Sequence, residues 1–455
     1  MRVFVTRRDA MSTMMLAVLA GCTRRDPPER ATGPTTISWA ASTLTNRSQE
    51  PRQALIDAFE RAFPSITVQL ISAPTSTDQE RQILRDALSR DDNAAPDVYL
   101  GDVIWPVEFA RDGLARPLDD VFPATFWSRF PEDLVKAASY QGKTYAAPFY
   151  VDQGILLFRK DLLARKHQPN PPKTWEQLAA AARVLLDDGD VDYGFVWEGA
   201  AYEGLTCVWT EFTAGAQSPG PADTGPADTG PADTGQAGEA GVRVRVDTPE
   251  SLKALTFMRR LLTSGISPMD VMSYREAQAG QAFQTGAGRG AAFQRAWTSA
   301  YFDAAELGGA RAGDTIGVAP LPVFAGQPGR NQPGRDRRGA STTGGWSLCV
   351  NPRTRQLRQV ADFIEFLTDA PAQLTLAQYS VIPANKTVRD EQAVQRNPGL
   401  AAATRVRPVH RPSAVPEYRR VSQVIYSELH RALLGAIDPA TALHEAQRRI
   451  DGILD

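Results

Sequence analysis

The side chains of this chain best suited to chemistry are acidic groups and flat rings placed at turns and strand ends. They are Asp102, Trp105, Asp152, Glu203, Trp297 and Trp346, with Arg407 as the cationic candidate. Ionised carboxylates accept strong charge-assisted hydrogen bonds, and indoles offer broad apolar faces. Together they suit a neutral, hydroxyl-rich guest, whereas an anion would meet repulsion. Each has a plainer role open to it: a turn or helix cap for Asp102, an Asx turn for Asp152, a solvated helix face for Glu203. The tryptophans could be core packing and Arg407 a surface ion pair. Asp102 and Glu203 form a nominal acid pair for glycoside hydrolysis, yet nothing marks either as held protonated. The sequence has no G-x-S-x-G elbow, H-E-x-x-H helix or Walker loop. Gly286-Ala287-Gly288-Arg289-Gly290 precedes a strand rather than a helix, so it does not suit a phosphate. No catalytic residue is expected.

The elements that position these groups follow from hydrophobic period. Thr36–Ala40 reads as a strand, Glu50–Phe63 as an amphipathic helix stopped by Pro64, and Ile66–Ile71 as a β-branched strand. Gln79–Ser89 repeats the helical period before a third strand at Pro96–Leu100. Strand, helix, strand, helix, strand implies parallel pairing with right-handed crossovers, and ligands of such sheets sit beyond the carboxyl ends of the strands. Asp102 and Trp105 lie in the turn after the third strand. A second α/β unit starts near Tyr145, with extended stretches at Ala147–Asp152 and Gly154–Phe158. Thr174 and Gln177 carry the spacing of a capping box for a helix to about Leu186. Further helices are read at 202–214, 249–264 and 276–285, and strands at 290–293, 316–320 and 345–350. Helices then dominate, at 359–367, 372–378, 418–433 and 440–453. Pro-Ala-Asp-Thr-Gly repeats three times from Pro221 to Gly235, and Gly326–Ser341 is similarly poor in apolar anchors, so both read as surface loops.

The 455 residues allow about two to four domains. Fifty Lys and Arg balance 52 Asp and Glu, a net charge of −2, which argues against nucleic-acid partners. Three cysteines and four histidines, all scattered, make neither a disulfide framework nor a zinc module, and no metal or cofactor is expected. Cys207 and Cys349, both in apolar contexts, read as buried thiols, with a disulfide between them left open.

The N-terminus has the layout of a secretory leader over residues 1–21: Arg2, Arg7 and Arg8, then an apolar run from Met14 to Ala20. That run is shorter than the roughly 20 residues of a membrane-spanning helix. Leu19-Ala20-Gly21-Cys22 matches a bacterial lipobox, which makes Cys22 the expected lipidation site and residues 22–35 a flexible tether. Thr6–Met11 resembles a twin-arginine export signal, though arginine pairs also occur in ordinary leaders.

Several stretches in order resemble the extracellular solute-binding proteins, family 1, of ABC importers. They are Pro96-Asp97-Val98 followed by Asp102 and Trp105, then Lys143–Pro148, and Phe158–Leu162 with Pro172–Leu178. Phe283, Gly290, Ala291 and Trp297, and Gly344-Gly345-Trp346-Ser347-Leu348, complete the set. Gln177 stands where the family usually has Glu. Trp105–Ala110, Tyr202–Leu205 and Val406-Arg407-Pro408 look most like the trehalose-binding lipoproteins of actinobacteria. The resemblance implies an α/β fold of two lobes with a hinge, a central cleft and a helical C-terminal region. Residues 36–148 with about 300–350 would form one lobe, and 149–299 with about 351–455 the other. It further implies that lobe closure traps a neutral sugar, held by Asp102, Trp105, Asp152, Glu203, Trp297, Gly345, Trp346 and Arg407. The sugar would pass to membrane permease subunits, from a monomer anchored through Cys22.

Overall fold

Alternation along the first strand already fixes two faces of a sheet. In β1 (Thr35–Ala41), Ile37, Trp39 and Ala41 enter one apolar cluster while Ala40 enters another. Helix α1 (Pro51–Ala62) buries Leu55, Ile56 and Phe59 on one side and leads to β2 (Ile66–Ser72). Helix α2 (Thr77–Ser89), β3 (Val98–Asp102) and the short α3 (Pro106–Arg111) complete this lobe's first half. β1 pairs in parallel with β2 and β3, as the strand–helix alternation requires. Asp97 fastens the sheet: its carboxylate accepts from Ser38 N (2.9 Å), Ser38 Oγ (2.8 Å) and Thr354 Oγ1 (2.6 Å).

The computed structural model describes residues 34–44, 51–74, 76–90, 95–216, 244–284, 289–308, 312–326, 338–413 and 415–455. The leader, Cys22, all but the end of the tether, the Pro-Ala-Asp-Thr-Gly repeats and most of the 326–341 loop lie outside them.

The two extended stretches expected at 147–152 and 154–158 are one strand, β4 (Ala146–Arg159). Beyond it come α4 (Trp175–Asp187), β5 (Tyr193–Val196), α5 (Glu203–Ala216), α6 (Pro249–Thr263) and α7 (Glu276–Gln284). The capping box at α4 is formed: Thr174 Oγ1 accepts from Gln177 N and Gln177 Oε1 from Thr174 N, both at 3.2 Å. Strands β6 (Ala291–Trp297), β7 (Ile316–Pro320) and β8 (Ala340–Val350) follow, then α8 (Leu357–Thr368) and α9 (Ala370–Gln378). Strand β9 (Arg407–Val409) and helices α10 (Tyr418–Leu433) and α11 (Pro439–Leu454) close the chain.

β4 belongs to both lobes. Its first half pairs antiparallel with β8, which also pairs with β3; its second half pairs antiparallel with β6 and β7. Two apolar cores result, one beside β1–β3 and one beside β5–β7. The later segments divide differently from the expected boundaries. Ala304, Ala319, Leu321 and Phe324 join the second core, whereas Val360, Phe363, Leu367 and Leu376 join the first. The cause is the pairing itself: β7 lies on the far half of β4, and β8 carries the chain back, so α8 and α9 land in the first lobe. The C-terminal helices are therefore split between lobes, with α10 and α11 packed in the second.

Gly345 sits where β8 passes β4, with φ +131°, and a Cβ there would lie 2.3 Å from the Tyr150 carbonyl oxygen. Gly345→Ala is expected to cost at least about 1–3 kcal/mol for the backbone strain alone. Urea unfolding would show a lower midpoint at unchanged slope; an unchanged midpoint would mean that the crossing tolerates a side chain.

Candidate functional site

The carboxyl end of β3 opens onto a cleft of about 270 Å³ between the lobes. Ser42, Leu44, Thr77 and Asp102 line it from the first lobe, and Tyr150, Asp152, Gly345 and Trp346 from the shared strands. Glu198, Tyr202, Glu203, Arg275, Glu276 and Trp297 line it from the second lobe. Six of the eight residues expected at a ligand thus meet there: Asp102, Asp152, Glu203, Trp297, Gly345 and Trp346.

Trp105 does not. It is 3 % exposed, stacks on Phe109 with ring centroids 5.9 Å apart, and meets Trp346 edge-on at 5.5 Å. It supports the Trp346 ring from behind, because α3 begins directly after it and turns it into the lobe. Arg407 does not line the cleft either. It lies in β9 beside Ala340, and its Nη2 donates to the Ala214 carbonyl at 2.9 Å.

The arginine that takes the place expected for Arg407 is Arg411, four residues on, where β9 has ended and the chain is free to turn inward. Its Nη1 donates to Glu203 Oε1 (2.8 Å) and its Nη2 to Asp102 Oδ1 (3.2 Å), so one guanidinium joins a carboxylate from each lobe. Glu203, first residue of α5, is buried rather than on a solvated face. It also accepts from Tyr418 Oη and Ser422 Oγ, each at 2.6 Å. Burial raises the pKa of Glu203, and Arg411, Ser422 and Tyr418 pull it back toward ionisation. Asp102 and Glu203 are thus the two ends of one ion-paired bridge.

Asp152 is held by its neighbours. Its Oδ1 accepts from Thr298 N (2.7 Å), Thr298 Oγ1 and Gln153 N (3.0 Å), and Oδ2 from Ser299 Oγ (3.3 Å). Burial outweighs these bonds and puts its pKa at about 6.

A second buried cluster backs Trp297. Arg295 is fully buried and grips Glu211 with two bonds, Nε–Oε2 at 2.9 Å and Nη2–Oε1 at 2.6 Å. Its guanidinium also lies 3.9 Å from the Trp297 ring centroid. Such contacts fix the indole's tilt. Arg295 reaches Glu198 at 3.5 Å, and burial raises that carboxyl to about 7 against the pull of Arg295. Across the cleft, Arg275 lies 4.5 Å from the Tyr202 ring centroid and donates from Nη1 to Ser76 Oγ at 3.0 Å.

The arrangement presents four rings (Tyr150, Tyr202, Trp297, Trp346) among six carboxylates (Asp102, Asp152, Glu198, Glu203, Glu276, Asp303) and two arginines, Arg275 and Arg411. Among the described residues no group of histidine, cysteine and carboxylate could hold a metal, and Cys207 and Cys349 are buried free thiols. Sequence reading missed Arg411, Glu198, Arg275, Glu276, Asp303 and Tyr150. A usable signal existed only for Arg411, which precedes a proline just as Arg407 does.

Comparison with known proteins places this geometry. The family of bacterial extracellular solute-binding proteins matches residues 54–402. A protein of Deinococcus radiodurans named "probable ABC transporter-binding protein" is 29% identical over 391 residues, covering 83% of this chain and 84% of that protein. Maltose-bound MalE3 of T. maritima superposes with a TM-score of 0.76 at 27% identity, over 92% of this chain and 100% of that one. The GacH receptor of Streptomyces glaucescens, solved unliganded and with acarbose, has the same fold, with a TM-score of 0.74 at 21% identity over 92% and 98% of the chains.

Proposed function

Because this chain belongs to the bacterial extracellular solute-binding proteins, we propose that its cleft captures a neutral di- or oligosaccharide of the maltose or trehalose kind for an ABC permease. The observation that carries this reading is the set of four rings and six carboxylates converging in one inter-lobe cleft. Sugar hydroxyls need ionised or buried acceptors, and pyranose C–H faces need flat aromatic surface. Arg411 pairs with two of these carboxylates and neutralises one unit of their charge. MalE3, at 27% identity, is the maltose-bound relative that supports a glucose-based guest. Closure of the lobes about β4 and β8 would hold the sugar away from water until the permease opens them.

A calorimetric panel of maltose, maltotriose, trehalose, ribitol and glycerol phosphodiesters tests this. The expected result is one-to-one binding of a saccharide with no hydrolysis product, and a raised unfolding temperature as ligand exceeds its dissociation constant. Trp297→Ala should weaken that binding tenfold or more, about 1.4 kcal/mol or above. Binding of none of the saccharides, or turnover of one, would overturn the proposal.

Anchoring belongs to the same proposal. A thioether-linked diacyl group on Cys22 would keep the receptor at the outer face of the membrane, with residues 23–35 as the tether. Cys22→Ser should then release the protein into the medium, and retention of the variant at the membrane would count against the anchor. We propose that the receptor works as a monomer.

A further inference from the structure

Between α2 and α3 of the first lobe and the start of α10 in the second runs a seam of alternating charge. Arg81 pairs with Glu108 through two bonds, and Arg85 reaches both Glu108 (3.2 Å) and Asp112 (2.5 Å). Asp112 also accepts from Arg111 Nε at 2.8 Å, leaving Arg111 Nη1 to donate to Glu417 Oε1 at 2.8 Å. Only that last pair crosses between the lobes. Without Glu417 the row holds three arginines against two carboxylates, so the first-lobe face alone carries a surplus positive charge. Arg419, two residues on in α10, approaches Arg81 with like charge, so the attraction of Glu417 for Arg111 is set against a repulsion across the same seam.

The place of Glu417 in the chain ties this seam to the cleft. Its neighbour Tyr418 turns the other way and donates to Glu203, the carboxylate that Arg411 bridges to Asp102. One turn of chain thus holds a cleft residue and a seam residue side by side. Accepting the saccharide-receptor reading above, we propose that the Arg111–Glu417 pair is a latch formed only when the lobes close. It lengthens the time the guest stays bound without touching the guest. Arg111 is pre-aimed by Asp112, so closure orders chiefly the glutamate. Part-exposed pairs of this kind are modest in strength and sensitive to salt.

The test is stopped-flow binding of the tightest saccharide among maltose, maltotriose and trehalose to the mature chain, as parent, Arg111→Gln, Glu417→Gln and the double variant. Each single change should raise the dissociation rate about two- to fivefold with the association rate unchanged. The double variant should lose no more than either single one. In 1 M salt the parent should approach the variants. Equal dissociation rates in all four proteins, strictly additive losses, or a salt-independent difference would overturn the latch. If the parent binds no saccharide, the receptor reading fails first.

Discussion

Arg411→Ala is expected to abolish saccharide binding and to lower stability by about 3–5 kcal/mol. Removing one partner from a buried ionic set leaves the others uncompensated, and that penalty has this size. Here the orphaned partners are Glu203 and Asp102, each 8 % exposed, one from each lobe. The loss should shrink in acid. With Arg411 gone, both carboxyls need a higher pH to ionise in the folded chain than in the unfolded one. The variant's stability therefore falls as pH rises and recovers as pH drops toward the ordinary carboxylate range. Urea unfolding from pH 4 to 8 would show the deficit widening with pH. Adding Glu203→Gln should restore part of the stability but none of the binding. A variant that binds like the parent would remove Arg411 from the site.

The second large effect has the opposite sign. Glu80 lies in the first turn of α2, 1 % exposed, near Ser42, Asp102 and Arg52. Burial raises its carboxyl to about 8, outweighing the hydrogen bonding from Ser42 and the pull of Arg52, while Asp102 pushes the same way as burial. A raised carboxyl pKa means that the folded chain binds more protons than the unfolded one. Stability is complete below the ordinary value of 4.5 and is lost as pH rises toward 8. At pH 7 the penalty is about 3 kcal/mol. Glu80→Gln keeps the shape and removes the titration. It is expected to stabilise the protein by up to that amount at pH 7 and by almost nothing at pH 4. A stability difference that does not change with pH would show that Glu80 is not the titrating group.

Local signals were read from the sequence where the chain decides structure locally. Thr174 and Gln177 form the expected capping box, α10 spans the expected Tyr418–Leu433, and the β1–β3 unit is parallel. What stayed hidden depends on partners distant in sequence. The break expected between Asp152 and Gly154 is absent because β8 and β6 pair with opposite halves of one strand. Arg407 and Arg411 each precede proline, and only the pairing of β9 with β8 decides which one is covered. Trp105 looked like a ligand face because it follows the third strand; the register of α3 turns it under Trp346 instead. Acidic residues at the cleft were legible as a class. Their cations were not, since Arg411 and Arg295 reach their carboxylates from 208 and 84 residues away along the chain.

The strand shared by both lobes also sets when the molecule can mature. The first core needs Leu348 and Val350 from β8 and Val360–Ala384 beyond it, so a nascent chain that has yielded only 300 residues lacks much of that core. Neither half can be cut out as a self-sufficient fragment. Pairing β4 with β8 closes a loop of about 200 residues and pairing Asp102 with Trp346 one of about 240, a topology of high contact order that folds slowly. The first core is therefore completed only once the chain through residue 384 has been made.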